Sequence, residues 1–335
     1  MRAPFVWFGG KRRVAPEVWA ALGDVPNYIE PFAGSLAVLL GRPHDMSNGT
    51  RRAETVNDAD GFLANFWRAL AHDPEAVAHW CDWPVNEVDL FARHLWLVNT
   101  GRSRLLEGME ADPDFYDAQV AGWWVWGVNA WIGSGWCSGD GPWVDTGDGI
   151  GKLPHLGDAG RGVNRQLPHL GNAGRAGYNN MEYRPNVLGY FEELAGRLRD
   201  VRVCCGDWSR VCTSGAMSYG SRVGVFLDPP YLGDVRTADL YAVDDHTISH
   251  AVRDWCLEHG DDPRLRIVLA GYRAEHDDLM PDTWRRHYYS ASAAYSTTES
   301  AARQDGNHAN RANEVLWFSP HCVTPDRQGE LWEAL

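Results

Sequence analysis

The residues Asp228-Pro229-Pro230-Tyr231 combine side chains that suit a specific kind of chemistry. The carboxylate of Asp228 can accept one proton of an exocyclic amine, and the Pro229 carbonyl, held by a proline-stiffened turn, can accept the other. The ring of Tyr231 offers a face on which a planar base can stack. An amine held in this way points its lone pair outward, so the motif predicts attack on a methyl donor. The structural alternative is a strand that ends in a Pro-Pro turn with a helix-capping Asp.

The position of this motif favours the chemical interpretation. It follows the apolar run 223–227, which predicts a buried strand, and open α/β sheets bind ligands where strands end. Three further acids, Glu30, Asp58 and Asp207, also end predicted strands. Asp58 follows the strand after a glycine turn, where such folds bind ribose hydroxyls. Each acid alone could cap a helix, but the set predicts a nucleoside site.

The hydrophobic pattern predicts the elements that must position these residues. The spacing predicts helices over 14–22, 36–40, 62–70, 187–198 and 247–258, and strands over 28–29, 54–58, 201–205, 223–227 and 266–270. Residues 284–290 and 314–318 are predicted to be late antiparallel strands. The alternation of strands and helices predicts an α/β fold with a mainly parallel, doubly wound sheet.

Residues 72–185 interrupt this alternation. They contain predicted helical pieces at 86–99 and 115–126, followed by a glycine-rich stretch in which residues 153–162 recur as 167–176. The repeat is either a duplication in a tolerant surface loop or a pair of arginine-tipped loops that contact phosphates or base edges. We therefore predict a core domain formed by 1–71 and 186–335, with an insert at 72–185.

The composition restricts the class of protein. The 335 residues carry a net charge of −14, which argues against nonspecific wrapping of nucleic acid but leaves room for a local basic groove. The seven cysteines include no C-x-x-C pair, and the first residues lack a long apolar run, so we expect a reduced, cytoplasmic protein. Asp244-Asp245-His246 is expected to be a capping turn, and no metal is expected. Seventeen tryptophans, many of them between 123 and 143, either fill a core or line a wall against bases.

Five segments resemble the motifs of one family in both content and order. They are Phe5–Arg12 with a W-x-G-G-K pattern, the loop Tyr28–Ser35, the acidic segment Val56–Asp58, the G-D-W segment Cys205–Trp208, and Asp228–Tyr231. As an ordered set they resemble the Dam-like, or alpha, class of DNA adenine-N6 methyltransferases. The resemblance covers 1–70 and 185–320, while 123–177 looks more like phage-borne relatives. It implies the seven-stranded sheet of class I S-adenosylmethionine-dependent methyltransferases, placed in the cytoplasm of a bacterium or phage-infected host.

The resemblance implies a role for each motif residue. Trp7 and Lys11 would flank S-adenosylmethionine, and Phe32, Ala33 and Gly34 would lie along its methionine moiety. Glu30 and Ser35 belong to the same cofactor-binding set. Asp58 would bind the ribose hydroxyls, and Asp207 would hydrogen-bond the adenine amine of the cofactor, with Trp208 close by. Asp228 and Pro229 would hold the target amine, and Tyr231 would stack on an adenine that has left the duplex.

Other substrates and roles are weighed against this expectation. Cytosine-C5 methylation needs a nucleophilic cysteine, usually in a Pro-Cys pair, which the sequence lacks. Cytosine-N4 methylation uses the same amine chemistry, RNA is a third substrate, and a noncatalytic DNA-binding protein is the rival from another class. Duplex DNA is the expected partner, contacted by Arg161, Arg165 and Arg175 of the insert. Leu36 departs from the family, in which many members have glycine, and either narrows the cofactor pocket or faces the core.

Overall fold

The computed structural model describes residues 1–5, 7, 10–43, 52–131, 136–137, 143–145, 150–152, 187–230, 245–289 and 314–324. The strands are β1 (Asn27–Glu30), β2 (Ala53–Asp58), β3 (Trp143–Asp145), β4 (Ile150–Lys152), β5 (Val201–Cys205), β6 (Val223–Leu227), β7 (Leu265–Tyr272), β8 (Arg285–Tyr289) and β9 (Glu314–Phe318). The helices are α1 (Ala15–Leu22), α2 (Ala37–Leu40), α3 (Gly61–His72), α4 (Pro74–Cys81), α5 (Glu87–Trp96), α6 (Arg102–Ala111), α7 (Ala118–Ala130), α8 (Val187–Leu198), α9 (Asp245–His259) and α10 (Arg273–His276).

Seven of these strands form one sheet in the order β5-β2-β1-β6-β7-β9-β8. Strand β1 runs parallel to β2 and β6, and β6 runs parallel to β7. Strand β9 is antiparallel to both β7 and β8. The prediction of a mainly parallel sheet with a late antiparallel pair is therefore confirmed. Strands β3 and β4 form a separate antiparallel pair.

The chain divides into two compact units, which we call the helix-rich unit and the sheet unit. The helix-rich unit comprises Met1–Trp7, Asn57–Asp207 and Val235–Ala242, and the sheet unit comprises Phe8–Val56, Trp208–Asp234 and Val243–Leu335. The predicted division into a core domain and an insert at 72–185 stays a prediction.

The core of the sheet unit forms around strands whose residues are apolar on both faces. All five residues of β6 are buried, as expected for a central strand of a parallel sheet. Helix α1 packs on β1 through Trp19, whose ring lies 4.7 Å from that of Tyr28, and its indole Nε1 donates to the Val38 carbonyl (2.7 Å). The Arg42 guanidinium covers the same Trp19 ring at 4.8 Å. These contacts hold α1, β1 and α2 together.

The core of the helix-rich unit is built from aromatic side chains of α3 and α7. Phe5 packs against Phe66, Trp67 and Trp124, with ring centroids 5.3 to 5.7 Å apart. The Asn65 side-chain amide donates to the Asp117 carbonyl (2.9 Å) and its Oδ1 accepts from the Asp117 N–H (2.8 Å), which joins α3 to the start of α7. Trp124, Trp126 and Trp131 are buried, so these three tryptophans of the region fill the core. Trp123 and Trp136 are half-buried.

Helices α4 and α6 were not expected from the hydrophobic pattern. In α6 the buried residue is Leu105. A helix that buries so little has no apolar stripe at helical spacing by which its sequence would reveal it. Helix α4 has a clearer local signal, since Asp73 caps it through the Ala76 N–H (3.0 Å) and Pro74 occupies its first position. A turn of π-helix at Leu97–Gly101 joins α5 to α6. Among the described residues, none of the helices has the length and apolarity needed to span a bilayer.

Candidate active site

Asp228 lies directly after the buried strand β6, and Pro229 and Pro230 follow it. The carboxylate Oδ1 of Asp228 lies 3.0 Å from the ammonium Nζ of Lys11, and the two side chains are 20% and 5% exposed. A buried ammonium is costly without an anionic partner, so this pair fixes the position of the Asp228 carboxylate. Lys11 reaches it from a short 3-10 turn at Lys11–Arg13, ahead of α1. Tyr231 lies outside the described residues.

The loop Pro31–Leu36, which we call the cofactor loop, joins β1 to α2 in the sheet unit. Two of its residues have left-handed backbone conformations, Gly34 at φ 46° and Leu36 at φ 54°. Glycine adopts this conformation freely, whereas leucine pays a steric penalty for it. Leu36 has no exposed surface, so its side chain faces the core and does not narrow a cofactor pocket. Its N–H donates to the Ala33 carbonyl at 2.8 Å, which tightens the turn.

Two aromatic residues of the predicted cofactor set lie together in the sheet unit. The rings of Phe32 and Trp208 are 6.2 Å apart at 27°, close to parallel. Trp208 also meets the edge of Trp255 from α9 at 6.4 Å. In the same loop, Ala33 and Ser35 are buried, at 5% and 7% exposed. The two half-buried rings form a stacked aromatic pair that includes Phe32 of the cofactor loop.

Glu30, the last residue of β1, has a carboxyl group bound within the protein. Its Oε2 accepts from the Tyr28 hydroxyl (2.9 Å) and from the Leu39 N–H (3.2 Å). Burial, with the charges of Asp228 and Glu54 adding to it, raises the pKa of Glu30 to about 8 against the two hydrogen bonds that lower it. At neutral pH this carboxyl group is therefore mainly protonated.

In the helix-rich unit, Asp58 and Asp60 form a compact turn at the end of β2. Asp58 Oδ1 accepts from the Asp60 N–H at 3.0 Å, and Asp60 Oδ1 caps α3 by accepting from the Phe62 and Leu63 N–H groups at 2.8 and 3.4 Å. Burial first, and the charge of Asp58 second, raise the pKa of Asp60 to about 6. The turn holds the Asp58 carboxylate at the end of its strand.

The segment before Asp207 is tied to the same turn. The Gly206 N–H donates to the Asp58 carbonyl (3.0 Å), and the Asn57 side-chain amide donates to the Gly206 carbonyl (2.9 Å). Gly206 has φ 133°, a conformation that favours glycine. These bonds bring the Asp58 and Asp207 backbones together within one unit. Trp7, in the same unit, packs on Phe5 and Trp124 at 5.8 and 6.2 Å.

Comparison with protein families adds an independent finding. The family model described as D12 class N6 adenine-specific DNA methyltransferase matches residues 7–86. That stretch contains Lys11, the cofactor loop and Asp58. Over these residues the chain is similar to this family of DNA adenine-N6 methyltransferases. A comparison with curated proteins gave no match.

The sheet of this chain is consistent with the class I methyltransferase fold, because its seven strands are mostly parallel and end in an antiparallel pair. Within the ranges that the structure describes, no group of three or more His, Cys, Asp or Glu residues could hold a metal ion. The arginines expected to contact DNA, Arg161, Arg165 and Arg175, lie outside those ranges.

Three contributors to the site were absent from the sequence expectations. They are Tyr28 and the Leu39 N–H, which hold Glu30, and Asp60, which holds Asp58. Tyr28 carried a detectable signal, since residues two apart on a strand share a face. Asp60 did too, because an acid directly before an apolar helical run is a common N-cap. The Leu39 contact carried none, because it depends on the backbone path of the cofactor loop.

Proposed function

We propose that this methyltransferase moves a methyl group from S-adenosylmethionine to the N6 atom of an adenine flipped out of duplex DNA. The observation that carries the proposal is the carboxylate of Asp228. It follows a fully buried central strand, precedes two prolines and is held by the buried Lys11 ammonium at 3.0 Å. A carboxylate fixed in this way suits the orientation of an amine, and the adenine specificity of the matched family agrees with it.

The residues present suit the methyl donor. An adenosyl group needs a carboxylate for its ribose hydroxyls and a flat surface for its base, and Asp58 and the Phe32–Trp208 pair supply groups of these kinds. Gly34 at φ 46° leaves the backbone of the cofactor loop without a side chain at its turn. We assign Asp58 to the ribose, Asp207 to the adenine amine of the cofactor, and Trp7, Lys11, Phe32, Ala33, Ser35 and Trp208 to the surrounding set, with Glu30 at the base of the cofactor loop.

The chemistry that S-adenosylmethionine supplies is an activated methyl group on a sulfonium. The protein therefore has to position the two reactants and stabilise the changing charges, and it does not need to activate the methyl donor. Asp228 and the Pro229 carbonyl each accept one N–H of the target amine, so its lone pair points toward the methyl group. Asp228 acts as an orienting acceptor, because the amine proton can leave after attack. Tyr231 stacks on the extruded base, whose removal from the duplex costs stacking energy.

Contacts with the DNA are assigned to the insert. Replacing Arg161 and Arg175 together with alanine should weaken binding of duplex DNA by about tenfold or more, since each arginine contacts phosphates or a guanine edge. The affinity for S-adenosylmethionine should stay within about twofold of wild type, because neither arginine is assigned to the cofactor. Fluorescence anisotropy with labelled duplex at fixed salt measures the first, and calorimetry measures the second. Unchanged DNA affinity would remove this loop from the interface.

The proposed reaction is tested by methyl transfer from labelled S-adenosylmethionine to mixed-sequence duplex DNA, followed by digestion to nucleosides. Labelled N6-methyladenine is the expected product. Labelled N4-methylcytosine would retain the chemistry and change the substrate. Cofactor binding without transfer to duplex DNA would contradict the proposal, and a competition assay with RNA would then examine the remaining substrate. A protein that binds DNA but no S-adenosylmethionine would be a noncatalytic binder.

A further inference from the structure

We propose that Glu30 is a positioning residue that closes the base of the cofactor loop, and that it does not itself contact the cofactor. The inference rests on the proposed function, since it concerns the loop assigned there to S-adenosylmethionine. In place of a contact with the cofactor, Glu30 is given hydrogen bonds within the protein, to Tyr28 and Leu39. Glu30 and its partners Tyr28 and Leu39 all lie within the sheet unit.

The first step is the missing cap of α2. The first N–H groups of a helix lack partners within it, and a side chain of the N-cap residue usually accepts from the third N–H. The N-cap of α2 is Leu36, whose side chain cannot accept a hydrogen bond. The acceptor for the third N–H, that of Leu39, is the carboxyl group of Glu30, at 3.2 Å. Glu30 thus supplies from the preceding strand what Leu36 lacks.

The second step is that this bond spans the cofactor loop. Glu30 is the last residue of β1, and Leu39 lies in the helix that follows the loop. The bond therefore joins the two ends of Pro31–Leu36. The loop contains a left-handed leucine, a strained conformation that persists where the surroundings fix it. The Glu30 bond is one contact that fixes it, and the indole of Trp19, which donates to the Val38 carbonyl at 2.7 Å, is another.

The third step is that the Glu30 carboxyl group is already engaged and covered. The same oxygen that receives the Leu39 N–H also accepts from the Tyr28 hydroxyl at 2.9 Å, and Glu30 is 2% exposed. A carboxyl group that forms an ion pair with the cofactor's ammonium group would be ionised. Burial and the charges of Asp228 and Glu54 raise the pKa of Glu30 to about 8, which keeps it mainly neutral at pH 7. Its position and its charge state both fit a structural tie.

The test compares Glu30→Gln with Glu30→Leu. Glutamine has the shape of a protonated glutamate and keeps an oxygen for the Leu39 and Tyr28 donors, whereas leucine has none. We expect the affinity for S-adenosylmethionine, measured by calorimetry at pH 7, to stay within about threefold for Glu30→Gln and to fall about tenfold or more for Glu30→Leu. A loss of about tenfold in Glu30→Gln would overturn the proposal, because a contact through negative charge would lose it too.

A second readout needs no cofactor. Hydrogen exchange of the Leu39 amide should be at least about tenfold faster in Glu30→Leu than in the wild type, and close to wild type in Glu30→Gln. The amide of Val18 in α1 donates to the carbonyl of the N-cap residue Val14 at 2.9 Å; it is the matched control and its exchange should be unchanged. Equal Leu39 exchange in all three proteins would overturn the proposal. If Glu30→Leu does not fold, Tyr28→Phe takes its place, because it removes one of the two donors to Glu30. Exchange of the Leu39 amide should then rise by a smaller factor. No rise would contradict the proposed role of Glu30.

The raised pKa of Glu30 also predicts how the stability of the folded protein changes with pH. A carboxyl whose pKa is raised on folding stabilises the folded protein fully below its ordinary pKa of 4.5, and this stability is lost as the pH rises toward about 8. Glu30→Gln cannot lose a proton, so its melting temperature should gain on that of the wild type between pH 4.5 and 8. A constant difference would indicate an ionised Glu30. If wild-type protein binds no S-adenosylmethionine, the proposed function fails, while the exchange and pH measurements still decide the role of Glu30.

Discussion

Asp228→Ala should lower the rate of methyl transfer by at least about a hundredfold while leaving the affinity for S-adenosylmethionine within about threefold of wild type. The carboxylate is assigned to the target amine and not to the cofactor, so its loss removes orientation at the reacting atom. Single-turnover transfer to duplex DNA measures the rate, and calorimetry with S-adenosylmethionine measures the affinity. Retention of more than a few per cent of wild-type turnover would show that Asp228 does not have the assigned role.

The Lys11 contact makes a stability control necessary for that experiment. Removing Asp228 leaves a 5% exposed ammonium without the partner that lies 3.0 Å away, which costs about 3–5 kcal/mol in comparable buried pairs. Loss of activity could then reflect partial unfolding. The double variant Lys11→Met with Asp228→Ala removes both charges, and its melting temperature should exceed that of Asp228→Ala. It should still be inactive, whereas recovered transfer would show that the Lys11 charge remaining in Asp228→Ala caused the loss.

Much of the fold could be predicted because its strands are short apolar runs bounded by turn residues. The run Val223–Leu227 is buried along its whole length, and both strands of the last antiparallel pair lie within one residue of their predicted bounds. Helix α6 could not be predicted in this way, because it buries little beyond Leu105 and shows no apolar period. Its position depends on the preceding π-helical turn at Leu97–Gly101, for which the pattern gives no sign.

In the site, too, features set by neighbouring residues could be predicted, whereas contacts between distant residues could not. Asp228 could be predicted from its own neighbours, since a buried strand followed by two prolines must end there. Its partner Lys11 could not, because the two lie in distant parts of the chain and only the fold brings them to 3.0 Å. Leu36 shows the limit of pattern within one loop. Its sequence position suggested a change in the cofactor pocket, whereas its left-handed backbone turns the side chain into the core.

Asp58→Ala should weaken the binding of S-adenosylmethionine by about 10- to 100-fold, the usual cost of losing hydrogen bonds to a charged group. The expected reason is loss of the acceptor assigned to the ribose hydroxyls. Asp60→Asn is the matched control, because it removes a neighbouring charge but keeps an oxygen that can cap α3 at the Phe62 and Leu63 N–H groups. It should leave the affinity within about threefold of wild type. Calorimetry measures both, and equal losses in the two variants would assign the effect to the turn instead of to Asp58.

A second consequence of Asp58→Ala does not depend on the cofactor. The charge of Asp58 adds to burial in raising the pKa of Asp60 from 3.8 to about 6. The stability linked to Asp60 is therefore fully present below pH 3.8 and is lost as the pH rises to about 6. Without Asp58, the pKa of Asp60 should fall and the loss between these values should shrink, which thermal unfolding at several pH values would show. If cofactor binding weakens but the pH dependence of unfolding does not change, Asp58 binds the cofactor without affecting the pKa of Asp60. That outcome would contradict the coupling inferred from the contact between Asp58 Oδ1 and the Asp60 N–H at 3.0 Å.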